Sequence, residues 1–550
     1  MGENGNKNEL TAGYWVPGDF PPESGDAAIH KAILKLKIPV VLITKGNRLM
    51  SCRGGMLVMG DRGVPPVESY PLAAYVPALH PENLGDSRFK QQYGLKFAYV
   101  VGAMANGITS VDMVEAAGKA GMLGFFGSAG LSLDRVETAI DRLQQQMKTL
   151  PFGFNLIHSP NEPELESGVV DLYLRKGIKL VSASAYMDMT LPLVFYRVKG
   201  IYRNENGDIV CPQRVVAKVS RVEVARKFFA PPPDKFLKQL LERKLIGEDE
   251  ALLARKIPMA DALTAEADSG GHTDNRPAIT LLSTMLTLRD EMAKQHLYDR
   301  PLFVGLGGGI ATPDSAAAAF SMGAAYILTG SVNQACVEAG TSETVRSMLA
   351  QVGQADVTMA PAADMFELGV KVQVLKRGTM FPFRAGKLYD LYSRFGSYDE
   401  LPEKERALLE KDFFRKGFSE EWAQTQNFFM HRDPPQVQRA ERDPKHKMAL
   451  VFRSYLGQSS NWANTGEPSR QLDYQIWCGP AMGAFNAWVK GTFLELPVNR
   501  RTVTVALNLL YGAAVATRTN WLGNQGIQLP GGTGRFVPLN IDDLTECLAC

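Results

Sequence analysis

Four polar side chains and two glycine runs carry the chemistry open to this sequence. His272 closes the run Asp268-Ser269-Gly270-Gly271-His272. An imidazole titrates near neutrality, so it can give or take a proton at a reacting centre. A lone histidine is as readily structural. Its company favours chemistry: Asp268 precedes it, Asn155 lies in PFGFNL, and Lys218 interrupts the apolar run VVAKV. A buried ammonium needs a compensating charge. A salt bridge to Asp268 or Glu266 would supply one. So would a ligand that accumulates negative charge.

The glycine runs are Gly307-Gly308-Gly309 and Thr329-Gly330-Ser331, and each precedes a helical pattern. Glycine lets backbone N–H groups approach a phosphate closely, and a following helix N-terminus adds partial positive charge. Ligand-free tight turns are the plain alternative. Two such loops on consecutive units favour phosphate binding. A reduced flavin combines a phosphate with negative charge near N1 and O2, which would also answer Lys218.

These residues need elements to position them. Eight short apolar runs recur: Phe97–Ala103, Met122–Phe126, Phe152–Leu156, Lys179–Ala183, Val215–Val219, Leu263–Ala267, Leu302–Gly305 and Ala325–Thr329. Helical spacing fills the gaps. Thr109 or Ser110 caps one helix, Asp134 opens another through Gln146, Pro277 a third, and Thr312-Pro313 a fourth over 313–323. A further helix is expected over 332–339. Near-continuous apolar strands between helices indicate a parallel sheet covered by helices. Eight units over about 250 residues match a closed barrel. A doubly wound open sheet would place its glycine-rich turn early, whereas these turns come late.

The predicted fold is therefore α/β, a (β/α)8 TIM barrel with an N-terminal extension and C-terminal helical segments. Residues 1–92 read as a β-rich extension and 93–360 as the barrel, with a helical insertion at 234–257. Residues 361–445 read as a helical subdomain and 446–550 as a C-terminal helical segment. The insertion is a lid, a docking surface or a solvated helix pair, and the last is the plainest. The Trp477–Trp488 region reads as packing rather than as a tunnel wall. In such a barrel the loops after the strands make the active site. They carry Ala103-Met104-Ala105, Asn155, Lys218, Asp268 to His272, Gly307 to Gly309, and Thr329 to Ser331.

Composition narrows the function. Of 550 residues, 60 are basic and 58 acidic, a formal net charge of +2. Such a balance gives no reason to expect nucleic acid or an anionic membrane. The apolar stretch Thr502 to Thr517 is too short to span a bilayer, which needs roughly 20 apolar residues; it reads as a buried helix. The polar N-terminus lacks a signal-peptide core. Six scattered cysteines suit a reducing cytoplasm. The terminal Cys547-Leu-Ala-Cys550 has no second half for a zinc site, and no metal is expected.

The segments VVAKVSRVEVARKFF, ALTAEADSGGH, PLFVGLGGGIATPDSAAAAFSMGAAYILTGS and PFGFNL resemble the nitronate monooxygenase and FMN-dependent enoyl-reductase superfamily. Over nearly the whole chain, KFAYVVGAMANGITS, GMLGFFGSAGL, EADSGGHTDNRP, KRGTMFPFRAGKLYDLY, NWANTGE and DYQIWCGPAMGAFN resemble the trans-acting, PfaD-like enoyl reductases of polyunsaturated-fatty-acid and polyketide synthases. The resemblance implies FMN, NADPH and an α,β-unsaturated thioester on an acyl carrier protein. It implies His272 as the catalytic position, Asn155 and Lys218 at the flavin, and Gly308, Gly309, Gly330 and Ser331 at the FMN phosphate. Ala103, Met104, Ala105, Asp268, Gly270, Gly271, Gly307 and Thr329 complete the expected cofactor set. Hydride would pass from flavin N5 to the β-carbon while His272 protonates the α-carbon, with Gly270–Gly271 N–H groups near the thioester oxygen. A nitronate monooxygenase and a non-catalytic accessory protein of a synthase are the rivals. Chain length, product, synthase and oligomeric state, a homodimer included, stay open.

Overall fold

The computed structural model describes residues 12–60, 68–158 and 163–549. All eight predicted runs form strands, in chain order Tyr99–Val101, Leu123–Phe126, Gly153–Ile157, Leu180–Ser184, Arg214–Val219, Ala262–Glu266, Phe303–Gly307 and Ile327–Thr329. They pair in parallel, first to second and so on round to eighth with first, and close a barrel. Val100, Phe125, Phe154, Val181, Ala217 and Leu263 are fully buried, which explains why the strands read as unbroken apolar runs. Because all eight strands point the same way, the ends that carry Asn155, Lys218, Asp268, Gly307 and Thr329 share one rim.

The chain falls into two compact units. One holds the barrel strands and most of their helices, together with the helices up to residue 505. The other gathers the N-terminal segment to Leu84, Thr312–Ser321 and the chain from Ala506. The latter unit contains a six-stranded antiparallel sheet. The buried Arg518 guanidinium donates to the carbonyls of Ile33, Lys35 and Ile38 there. The Thr502 segment is a helix over Thr502–Asn524, and among the described residues no helix is long and apolar enough to cross a membrane.

In the barrel unit, two expected boundaries cut through elements. The 360/361 boundary falls within the strand Val357–Pro361, which pairs with Lys371–Leu375; the latter in turn pairs with Gly271–His272. The 445/446 boundary falls within the helix Pro444–Thr465. That helix shares one apolar core with Phe366, Phe381, Leu388 and Phe413, so the charged segment before it and the aromatic segment after it are a single packed layer. Residues 234–257 hold two helices, Asp234–Glu242 and Glu248–Ala254.

The helix expected over 332–339 is a correction. Only Ser331–Gln334 is helical. Asn333 is wholly buried and donates to the Thr329 carbonyl and hydroxyl. Beyond it Val337 N–H goes to the Arg500 carbonyl and Gly340 N–H to that of Ile108, so the chain is drawn off the helical path.

Arg197 ties the barrel's base. Its guanidinium is 1% exposed, pairs with both Asp261 oxygens at 2.8 and 3.0 Å, and donates to the Gln213 and Pro258 carbonyls. Asp261→Ala leaves that charge buried and uncompensated. We expect a loss of about 3 kcal/mol, read as a lower urea midpoint; an unchanged midpoint would contradict the assignment.

Candidate active site

Residues 262–276 run from the sixth barrel strand along the rim, and their side chains are mutually tied. Lys218 Nζ sits 2.7 Å from Glu266 Oε1, which also accepts from Ser269 Oγ at 3.0 Å. Of the compensating charges considered for Lys218, Glu266 is the one present and Asp268 is not. Asp268 does different work. Its Oδ1 accepts from Gln373 Nε2 at 2.7 Å and Asn275 Nδ2 at 2.8 Å, so it fastens the loop to the neighbouring hairpin.

His272 lies in a two-residue strand rather than in a free loop. Gly271 pairs with Gln373 and His272 with Val372. From the hairpin turn Asp364 reaches back, its Oδ1 3.1 Å from His272 Nε2. The two side chains keep 35% and 41% of their surface accessible. Burial opposes a charge on the imidazole, but the carboxylate of Asp364 beside it, by charge and hydrogen bond, outweighs that; Glu266 assists and Lys218 opposes. The net effect raises the His272 pKa. Burial likewise works against the Asp364 carboxylate, and His272 and Arg453 overcome it, leaving its pKa lowered.

Asn155 is buried at the third strand's end. Its side-chain oxygen accepts from Ser184 Oγ at 2.9 Å, and its carbonyl accepts from Ser128 Oγ and Tyr173 OH. It lines a cavity of about 40 Å³ with Ser128, Glu166 and Arg432. Ala103, Met104 and Ala105 are half-buried. Met104 is clamped: its N–H meets Thr109 Oγ1 at 2.9 Å, and a Cβ at Gly127 would overlap its carbonyl.

The glycine loops divide by role. A Cβ on Gly308 would lie 2.7–2.8 Å from the backbone of Ala267 and Asp268, and one on Gly307 3.0 Å from Thr264, so both allow close packing. Gly309 (φ +74°) and Gly330 have nothing within 4 Å of that position. These two face open space at the ends of neighbouring strands. Thr329 is committed inward, donating to Tyr99 OH at 2.6 Å. Ser331 Oγ accepts from Gly479 N–H at 3.1 Å. Since the helix after Ser331 is one turn, the second loop offers glycine backbone without a long helix's field.

The segment 474–486 proves to cover the rim. A Cβ on Gly270 would meet the Cys478 backbone at 2.8–2.9 Å, and one on Gly479 would meet Gly270 N at 2.9 Å. Trp477 bridges to Val374, and its ring lies 4.0 Å from where a Gly271 Cβ would sit. The segment therefore packs, as expected, but it packs beside His272. Gly270 and Gly271 are correspondingly held between this segment and the ladder. Sequence reading missed Asp364 and Gln373, and gave Trp477 no place beside His272. The motif DYQIWCGPAMGAFN flagged Trp477; nothing local flags Asp364, whose partner is 92 residues away.

Among the described residues no cluster of His, Cys, Asp or Glu could hold a metal. Cys547 is a free, half-buried thiol, and Cys550 lies outside the described residues. Gly309 and Gly330 present the open backbone that a flavin's phosphate would need. Lys218, with a quarter of its side chain exposed, stays within a ligand's reach while bonded to Glu266.

Residues 88–383, more than half the chain, match the nitronate monooxygenase family, and the chain belongs to that family of oxidoreductases. Within it, the similarity is to enoyl reductases of polyunsaturated-fatty-acid and polyketide synthesis. The chain is 39% identical to the enoyl reductase domain of MlnA, from the macrolactin cluster of Bacillus amyloliquefaciens, covering 99% of that chain and 80% of this one with a TM-score of 0.76. It is 48% identical over 435 residues to the polyketide biosynthesis protein PksE of Bacillus subtilis, covering 79% of this chain and 56% of that protein. It is 47% identical over 449 residues to one of the proteins that make up the polyunsaturated fatty acid synthase of Thraustochytrium, covering 80% of this chain and 30% of that protein. The chain thus spans only part of those two relatives. Residues 395–474 match the inserted helical domain of [acyl-carrier-protein] S-malonyltransferase.

A raised histidine pKa means the pair stabilises the fold below the ordinary histidine range, and the gain is lost as pH rises through the raised value. Asp364→Asn should lower the His272 pKa, read from its imidazole carbon resonance during an NMR titration. An unmoved midpoint would show that Asp364 does not govern this proton.

Proposed function

We propose that the chain is an FMN-dependent, NADPH-using enoyl reductase. It acts in trans on α,β-unsaturated thioesters carried by an acyl carrier protein, in polyunsaturated fatty acid or polyketide biosynthesis. The observation that carries the reading is an imidazole whose pKa Asp364 raises, on the same barrel rim as two glycines facing open space. The similarity to the MlnA enoyl reductase domain supports the reaction class. The match of 395–474 to a domain from an acyl-carrier-protein enzyme supports the carrier as partner.

In this reading Gly309 and Gly330, with Gly308 and Ser331, hold the FMN phosphate, and Asn155 and Lys218 approach the ring system. FMN, when bound, supplies hydride transfer from nicotinamide to the β-carbon of the enoyl thioester. The protein's part is positioning and proton delivery. His272 Nε2 faces Asp364, so the Nδ1–H of the imidazolium is the proton available to the substrate α-carbon. Asp364 raises the proton affinity of the ring and orients it. Glu266 steers the Lys218 ammonium. Trp477 packs beside Gly271, the residue before His272.

His272→Ala should retain the yellow flavin spectrum and lose about 10²–10⁴-fold in enoyl-thioester reduction. A variant that keeps both flavin and rate removes His272 from the scheme. Gly330→Val should put a side chain into the open position and weaken FMN retention on gel filtration by at least tenfold; undiminished retention would place the phosphate elsewhere.

The family match favours a second reading, a nitronate monooxygenase with oxygen as electron acceptor. NADPH oxidation stimulated by an enoyl thioester and not by a nitronate decides for the reductase; the reverse decides for the monooxygenase.

A further inference from the structure

One charged side chain reaches the Asp364–His272 pair from the helical layer. Arg453 lies midway along the helix Pro444–Thr465, within the stretch 395–474 that matches the inserted helical domain of another enzyme. Its side chain is 10% exposed. Nε donates to the Ala363 carbonyl at 3.0 Å, and Nη1 donates to Glu367 Oε1 at 3.2 Å. The fork of the guanidinium thus grips the hairpin turn on both sides of Asp364.

The bond to Ala363 has the more direct consequence. The Ala363 carbonyl and the Asp364 nitrogen share one rigid peptide plane. Fixing that carbonyl fixes the Cα from which Asp364 reaches His272 Nε2. The ladder does a different task, setting His272 against Val372. The bond from Ala362 N–H to the Val370 carbonyl closes the neck of the turn, and Phe366 anchors its apolar face in the core. Arg453 holds the peptide between those two anchors. Asp364 is 41% accessible, so water competes for its carboxylate and packing alone does not confine it.

The charges around the pair define what Arg453 can do. Asp364, Lys218 and Glu266 act on His272, while His272 and Arg453 act on Asp364. Arg453 also faces Glu367 and influences His446 on its own helix. Its effects on the imidazole oppose each other. As a cation it disfavours a second positive charge nearby. As the anchor of Asp364 it keeps the compensating carboxylate in place.

We propose that Arg453 is a positioning residue for the His272 proton, acting through Asp364, so that the helical layer completes the site on the barrel rim. The inference rests on the reductase reading for its use in turnover.

The test is an NMR titration of the His272 imidazole in the full-length protein, its signal assigned by loss in His272→Ala. Two variants remove the anchor. Arg453→Lys keeps a cation for Glu367 and removes the Nε donor. Arg453→Met combined with Glu367→Gln removes both charges, so that no buried carboxylate is left unpaired. In each, with far-ultraviolet circular dichroism unchanged, the His272 midpoint should fall by about one pH unit. A cation acting by charge alone predicts a raised midpoint in the double variant. A purely structural arginine predicts a lower Tm with the midpoint unmoved. Either result overturns the proposal. In an Asp364→Asn background, Arg453→Lys should move the midpoint no further; a second fall would show a route that bypasses Asp364 and would also overturn it. The titration is read without substrate. A protein whose midpoint depends on Arg453 but that reduces no enoyl thioester keeps this inference and loses the reductase reading.

Discussion

Barrel rims are built of loops, and a loop alone leaves an imidazole free to wander. In this protein the rim residue best suited to proton transfer is held by a backbone ladder. Gly271 and His272 form the edge of a three-stranded sheet whose other strands, Lys371–Leu375 and Val357–Pro361, come from beyond the eighth barrel unit. Asp268 reinforces the ladder through Gln373, and Asp364 occupies the turn it creates. The orientation of the histidine and the direction of its pKa follow from that pairing.

A second layer depends on the first. Because the hairpin projects from the rim, its outer side is apolar and must be covered. Phe366, Val372 and Val374 are buried in the core that the helices from Phe381 to Thr465 complete. The charged segment that looked like an appendage in sequence thus backs the strand that aims His272. The same layer carries Arg453, which touches the same turn from another side.

Much of this was legible in sequence for plain reasons. Parallel strands buried on both faces read as unbroken apolar runs, so all eight were found, and rim residues follow from strand ends. Positions dominated by tertiary pairing were not legible. Asp364 looks like any loop aspartate until the hairpin folds. The helix after Ser331 stops because the buried Asn333 and the carbonyls of Arg500 and Ile108 divert the chain, and none of these is local information. Lys218 left two readings open in sequence, and Glu266 resolves its nearest partner without removing its exposure. The glycine runs read as one kind of signal, yet Gly308 is consumed by packing while Gly309 and Gly330 face outward.

Gly270 and Gly479 cross so closely that neither tolerates a side chain while the other backbone stays put. Gly270 lies inside the stretch that matches the family, residues 88–383, and Gly479 lies beyond it. The barrel is therefore not a detachable module. A chimera joined at that border would inherit the strands and lose the strap across them. Transplanting this rim onto another barrel requires carrying the chain through the helix Ala481–Val489.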